Sequence, residues 1–202
     1  MEKKNIKIIL KTFGRMIESR NNNFYLVLGL ILIVAFSRLI PHYPNFTPLC
    51  AIALFGAKYF NNKYLAYILP LFALWLSDVI INNFVLGEYF SDFTLFYSGF
   101  YWQYGSFMLI TLFGRLTLKN ISVSKILGIS ISSSLIFFVI SNFGVWVSST
   151  FYPNTISGLI SCYVAAIPFY YGTLGGAIFY SLFLFGSYEY LSRRLIKVPT
   201  NR

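Results

Sequence analysis

Residues 38–57 read R-L-I-P-H-Y-P-N-F-T-P-L-C-A-I-A-L-F-G-A, and the proline-rich part of this stretch separates two apolar runs. Three prolines fall within eight positions, together with the only histidine of the chain, at Pro41, His42, Pro44 and Pro48. Proline fixes its own φ, donates no backbone hydrogen bond and restrains the residue before it, so these positions cannot continue a helix. The sequence therefore predicts a stiff connector, residues 41–48, between two helices.

The composition of the chain is that of an all-α, polytopic membrane protein. Hydrophobic residues make up 57% of the 202 residues and charged residues only 11%, with a mean hydropathy of +0.66, unlike an ordinary soluble domain. The formal net charge is +10, but the basic residues form short clusters between apolar runs, which is typical of cytoplasmic loops. We therefore expect the lipid bilayer as a partner, and no nucleic acid.

The apolar runs predict six membrane helices, over residues 24–40, 49–60, 64–86, 99–118, 124–149 and 172–191. The second helix is too short to span a bilayer unless the connector dips into the membrane and covers the missing depth. An apolar stretch over 158–167, between Pro153 and Pro168, is also too short. It predicts a re-entrant or interfacial helix before the last span.

Two basic segments flank the predicted membrane domain of residues 24–192. In residues 1–23, apolar residues from Ile6 to Ile17 follow one helical face, and a second face carries Lys7, Lys11 and Arg15. This pattern predicts an amphipathic helix on the inner membrane surface, with a disordered basic tail as the alternative. Residues 193–202 predict a basic cytoplasmic tail.

The distribution of positive charge predicts the topology. With both termini in the cytoplasm, every lysine and arginine except Arg38 falls on the inner side, as the positive-inside rule requires. Moving any boundary by one helix would destroy this asymmetry. The outer segments are then 41–48, 87–98 and 151–171. We expect the bacterial inner membrane as the location and a ligand site that opens to the outside.

Arg38 and Asp78 are the two charges that this topology places inside or near the apolar layer. Arg38 is near the outer end of the first helix, and Asp78 is about 12 Å below the outer end of the third at the helical rise. An isolated charge at such depth costs a few kcal/mol, at roughly 2.5 to 3.5 on insertion scales, so the sequence predicts that the two pair. The pair either anchors a polar ligand or locks two helices.

Further polar residues complete the predicted ligand-binding set. Asn82 lies one helical turn above Asp78, and Asn142 and Trp146 share one face of the fifth helix. Trp146 is alternatively an aromatic-belt residue, and a lone histidine such as His42 is more often a loop hydrogen-bonder than a metal ligand. The predicted site residues are Arg38, His42, Asn45, Thr47, Asp78, Asn82, Asn142, Trp146 and Tyr152.

Several chemistries are disfavoured by what the sequence contains. Cys50 and Cys162 match no zinc spacing and are too few for a disulfide scaffold. They read as buried apolar residues, with a disulfide or a ligand-contacting thiol as alternatives. No P-loop and no Ser-His-Asp arrangement is present, so we expect no enzyme, no metal and no cofactor. Small residues at Ala53/Ala57, Gly128/Ser132 and Gly172/Gly176 predict close helix approaches.

Several of these stretches resemble the sequences of a known protein family. The connector stretch, P-L-F-A-L-W-L-S-D-V-I-I-N-N at 70–83, S-N-F-G-V-W at 141–146 and G-L-I-S-C-Y-V-A-A-I-P-F-Y at 158–170 resemble a family of uncharacterised bacterial inner-membrane proteins. That family is similar to the substrate-binding S components of energy-coupling factor transporters. The resemblance implies six helices that capture a vitamin or metal ion with three outer loops, driven by a separate ATPase module.

The predicted function is therefore a substrate-binding membrane subunit for uptake of a small nutrient. S components carry an Ala-x-x-x-Ala contact for the coupling subunit on the first helix, whereas here that helix has Ala35 alone and the spacing occurs at Ala53 and Ala57. Docking to an ATPase module and a solitary transporter thus both stay open. The alternative function is a non-transporting accessory subunit whose polar stripes pack against other chains.

Overall fold

The computed structural model describes residues 23–90, 92–148 and 150–195, which form six helices and no strand. The all-α class is confirmed. The helices are α1 (Asn23–Leu39, ending in a 3-10 turn at Ser37–Leu39), α2 (Leu49–Tyr59), α3 (Lys63–Ile80, continued by a π-helical turn at Ile81–Val85), α4 (Phe100–Thr117), α5 (Val123–Ser148) and α6 (Ile156–Leu195).

Three helices in the described part of the chain are long and apolar enough to cross a membrane: Lys63–Val85, Val123–Ser148 and Ile156–Arg194. This length and composition are the character expected of a membrane protein. α1 and α2 are apolar but shorter. The count of six spans and the cytoplasmic termini stay predictions.

The short helix α2 forms the centre of the bundle. Every residue from Leu49 to Ala57 is buried, and α2 packs against α3, α4, α5 and α6. Ala57 lies 3.0 Å from the position of a Cβ built at Gly114 of α4, so the predicted close helix approach at Ala57 is confirmed. Because four other helices surround α2, this helix can be short and need not extend from one face of the bundle to the other.

Residues 158–167 do not form the separate re-entrant or interfacial helix that the sequence predicted. α6 is one helix of 40 residues that runs through Pro168. A proline removes one backbone hydrogen bond, and apolar helices tolerate this where neighbouring helices compensate. α5 packs along α6 on both sides of the proline, where Tyr163 donates to the Val139 carbonyl at 2.7 Å and the Tyr170 and Ser134 hydroxyls lie 3.2 Å apart.

The predicted boundaries at the ends of the chain are only partly covered. The amphipathic helix expected within residues 1–23 falls almost wholly outside the described residues, as does most of the tail over 193–202. α6 continues past residue 192 to Leu195. Cys50 and Cys162 are both buried and free, so they do not form a disulfide with each other, and a contact of either thiol with a ligand stays a prediction.

Candidate functional site

The connector folds into a compact turn between α1 and α2. Asn45 has a φ of 60°, a left-handed conformation that asparagine tolerates better than most residues. The turn is closed by two backbone hydrogen bonds, from Phe46 to the Tyr43 carbonyl and from Thr47 to the Asn45 carbonyl, each 2.9 Å long. Residues 41–45 are nevertheless exposed. The connector is thus ordered and open on one side.

Three glycines of α6 pack closely against this connector. A Cβ at Gly172 would overlap the Pro44 carbonyl oxygen, and one at Gly176 would lie 2.7 Å from both the nitrogen and the oxygen of Thr47. A Cβ at Gly175 would lie 3.4 Å from the Phe46 ring. The predicted spacing at Gly172 and Gly176 does permit a close approach, but its partner is loop backbone and not a helix.

The connector enters α2 near the middle of α5. Cys50, in the first turn of α2, places its Sγ 3.9 Å from the Ser133 carbonyl oxygen of α5. From Ser133, α5 continues for fifteen residues to Ser148, about 22 Å at a rise of about 1.5 Å per residue. The exposed turn therefore lies far below the end of α5 that the topology assigns to the outer side.

A buried ion pair lies directly before the connector. Arg38 Nη1 is 2.6 Å from Asp78 Oδ1, and the side chains are only 10% and 6% exposed. Arg38 Nη1 also donates to Ser77 Oγ at 2.6 Å, and the Tyr104 hydroxyl donates to Asp78 Oδ2 at 2.7 Å. The predicted pairing of Arg38 and Asp78 is confirmed. Ser77 and Tyr104 are partners that sequence reasoning missed, although Ser77 directly precedes the carboxylate.

Unpaired donors accompany the ion pair. Within the described part of the chain, Asn82 Nδ2, the Tyr97 hydroxyl and Trp75 Nε1 are buried without a hydrogen-bond partner. A buried donor without a partner costs about 1 to 3 kcal/mol, so proteins rarely retain several in one region without a use for them. Asn82 lies one turn beyond Asp78, within the π-helical turn, a distortion that often marks functional sites.

Tyr97 belongs to the same electrostatic environment as the ion pair. Burial raises the pKa of its phenol well above the ordinary value, and the Asp78 carboxylate raises the pKa further, whereas Arg38 lowers it. Tyr97 therefore stays a neutral hydroxyl that can donate a hydrogen bond at physiological pH. Sequence reasoning missed this residue because it lies in the loop between α3 and α4, nineteen positions from Asp78.

Asn83 fixes that loop to the end of α3. Its Nδ2 donates to the Thr94 carbonyl at 2.9 Å, and its Oδ1 accepts from the Thr94 backbone nitrogen at 2.6 Å. The same Nδ2 donates to the Val79 carbonyl at 2.7 Å. The neighbouring asparagines thus differ: Asn83 has structural partners, and Asn82 has an unpaired amide nitrogen.

A second polar region lies between α5 and α6. A pocket of about 230 Å³ is lined there by the polar residues Asn45, Ser141, Asn142, Tyr170 and Thr173, together with phenylalanines of both helices. The structure therefore brings Asn45 and Asn142 together, as predicted. It does not join them with Arg38, Asp78 and Asn82 in one pocket, so the predicted set divides into two groups on either side of the connector.

The remaining predicted site residues have other partners. His42 Nδ1 lies 2.7 Å from the Ile40 carbonyl oxygen, which confirms the interpretation of His42 as a loop hydrogen-bonder. Trp146 Nε1 donates to the Pro153 carbonyl at 3.0 Å and so fixes the segment before α6. Thr47 contacts Gly176 through its backbone, and Tyr152 is half-buried in the segment that Trp146 holds. Among the described residues, no three His, Cys, Asp or Glu side chains could hold a metal ion.

These features define a helical protein of membrane character with a buried ion pair beside an open, proline-rich connector. Residues 18–199 match the model of DUF6580, a family of unknown function. Because the match covers most of the chain, the protein belongs to this family. No curated protein and no solved structure matches the chain.

Proposed function

We propose that this protein is a substrate-binding subunit of a bacterial inner-membrane uptake system, and that it captures a small nutrient, vitamin-like or metal-related, from the outer side. The observation that carries the proposal is the Asn82 amide nitrogen, which is buried and unpaired one turn from the Arg38–Asp78 pair. No enzymatic step is part of this function.

The position of the connector supports a site that opens outward. In the hydrocarbon layer, non-helical backbone is tolerated only where it is buried in protein or lines a water-filled cavity. Residues 41–45 are exposed and join α2 at the level of Ser133. Water in a recess above the connector would hydrogen-bond to this backbone. A ligand in the same recess would reach both the Arg38–Asp78 region and the polar pocket between α5 and α6.

The chemistry of the unpaired groups indicates the kind of ligand. Asn82 Nδ2 and Trp75 Nε1 are donors, and the neutral Tyr97 hydroxyl can donate as well. Such groups bind the acceptor oxygens or ring nitrogens of a polar molecule. Polar groups that remain buried and unpaired without the correct ligand also discriminate strongly against analogues that lack the acceptor.

The similarity to S components extends this proposal to the mode of transport. In that scheme, the three outer segments capture the ligand, and a separate ATPase or coupling module is the partner that drives uptake. The second candidate is an accessory subunit of a membrane complex. It is favoured by the pairing of Arg38 with Asp78 and by their hydrogen bonds to Ser77 and Tyr104, which are the partners that a purely structural ion pair requires.

The Asn82→Leu variant distinguishes the substrate-binding subunit from the accessory subunit. We expect the purified wild-type protein to carry a small molecule in native mass spectrometry, and the variant to lose most of it. Its melting temperature should stay the same or rise, because leucine removes an unpaired buried amide. Asn83→Leu is the matched control: it breaks the bonds to Thr94 and should lower the melting temperature. Equal ligand occupancy in wild type and Asn82→Leu would contradict the site, and a wild-type protein without any bound molecule would favour the accessory subunit.

Cysteine labelling tests the outward recess and the topology. In a background in which Cys50 and Cys162 are replaced by alanine, Tyr43→Cys and Asn154→Cys should react with a membrane-impermeant thiol reagent added to intact cells. Tyr43 is 61% exposed on the connector, so its reaction requires water above the connector. Asn120→Cys, between α4 and α5, should react only after the cells are opened. Labelling of Asn120→Cys in intact cells would overturn the topology.

A further inference from the structure

The C-terminal ends of α2 and α4 meet, and each is capped by a cation from the other helix. Lys58 of α2 donates from Nζ to the carbonyls of Leu118 and Lys119 at 2.9 and 2.7 Å. Arg115 of α4 donates from Nη1 to the Phe60 carbonyl at 3.3 Å. Basic side chains are favourable at helix C-termini, where the carbonyls lack intrahelical partners. This exchange of caps fixes both cations beside one another.

A pocket of about 210 Å³ lies between these helix ends, and its lining includes Lys58, Arg115 and Asn61. The pocket forms where Gly114 allows α4 to approach Ala57 closely, with 3.0 Å from a Cβ built at Gly114 to the Ala57 Cβ. Arg115 has five N–H donors, and the bond to Phe60 is its only hydrogen bond to described residues. Most of its guanidinium is therefore available to a ligand.

The surroundings of this pocket are positively charged. The ends of α2 to α5 on this side carry Lys58, Lys63, Arg115, Lys119 and Lys125. The only acidic residues between positions 49 and 125 are Asp78, Glu88 and Asp92. Asp78 is already fifteen positions along α3 from Lys63, about 22 Å at the helical rise. Both ion pairs within the described ranges involve other residues, so neither Lys58 nor Arg115 is paired with a carboxylate there.

We propose that this pocket binds the phosphate of an anionic phospholipid headgroup. A guanidinium binds phosphate oxygens in a fork, and basic pockets between membrane helices on the cytoplasmic side are typical headgroup sites. A lipid is favoured over free phosphate because Leu112 and Leu116, one turn apart on α4 next to Arg115, are 45% and 66% exposed. They offer an apolar surface to an acyl chain that continues from the headgroup.

The experiment compares lipids and variants in a defined bilayer. The protein is placed in phosphatidylcholine nanodiscs, and bound phosphatidylglycerol is measured by native mass spectrometry as its fraction is raised. Arg115→Gln should weaken phosphatidylglycerol binding about tenfold, roughly the value of one charge-assisted hydrogen bond. Lys125→Gln, which removes the same charge on an exposed residue outside the pocket, should change the affinity less than twofold.

One further variant and one competition experiment complete the test. Arg115→Lys keeps the charge but removes the fork, and an affinity between those of wild type and Arg115→Gln is expected; this variant also serves if Arg115→Gln fails to fold. Millimolar inorganic phosphate should not displace the lipid. Equal loss in the Arg115 and Lys125 variants would overturn the pocket in favour of general surface charge, and displacement by phosphate would overturn the lipid as its occupant.

Discussion

Arg38→Ala and Asp78→Ala should each lower the free energy of unfolding in detergent by about 3 to 5 kcal/mol, because each leaves the opposite charge buried without a partner. The paired side chains are 10% and 6% exposed, so water cannot compensate for the loss. The double variant should be more stable than either single variant, since it removes both charges. Denaturant unfolding of all four proteins gives the coupling energy as a double-mutant cycle.

The exposed pair of Arg193 and Glu189 provides the control cycle. Its nitrogen and oxygen are 2.7 Å apart, yet the side chains are 77% and 59% exposed. An exposed i,i+4 pair contributes only about 0.3 to 0.5 kcal/mol, so the control should show little coupling. Additive losses at Arg38 and Asp78 would mean that the two charges do not interact in solution.

The double-mutant cycle of Arg38 and Asp78 also shows whether the ion pair takes part in ligand binding or only stabilises the fold. If the double variant recovers stability but no longer retains the small molecule that the wild type carries, the pair takes part in binding. If it recovers stability and still retains the molecule, the pair only locks α1 to α3. The Tyr104 hydroxyl loses its acceptor in Asp78→Ala and in the double variant alike, so the difference between these two variants depends on Arg38.

The parts of the fold that follow from local chemistry were predictable from the sequence. Three prolines in eight positions leave no alternative to a connector, because each removes a backbone donor. The Arg38–Asp78 pair followed from the cost of a lone charge in an apolar helix. The first inference needs only the residues themselves, and the second adds that Arg38 and Asp78 are the two charges that the predicted topology places in or near the apolar layer. That is why they hold in the folded chain.

The parts that depend on packing between distant segments were not predictable. Pro168 favours a break by its own chemistry, but its helix continues because α5 packs along it. The small residues at Gly172 and Gly176 predicted a close neighbour without revealing which segment it is. Tyr97 and Tyr104 reach Asp78 only through the arrangement of α3 and α4. One sequence does not determine such pairings, and the separation of the polar residues into two groups has the same origin.

Gly176→Ala should destabilise the protein by about 1 to 3 kcal/mol, the usual cost of overpacking, and Gly172→Ala by at least as much. Alanine normally stabilises a helix over glycine by about 1 kcal/mol, so the expected sign is opposite to that of intrinsic propensity. The reason is that the new methyl groups would meet the backbone of Pro44 and Thr47, which cannot move without displacing the connector.

Gly186→Ala is the matched control, since Gly186 lies in the same helix with nothing within 4 Å of its Cβ position. It should leave the melting temperature unchanged or raise it, whereas Gly172→Ala and Gly176→Ala should lower it. Displacement of the connector should also change the rate at which Tyr43→Cys reacts with a soluble thiol reagent. If Gly176→Ala behaves like Gly186→Ala in both measurements, the connector does not pack against α6. The proposal of a recess above the connector then loses its structural basis.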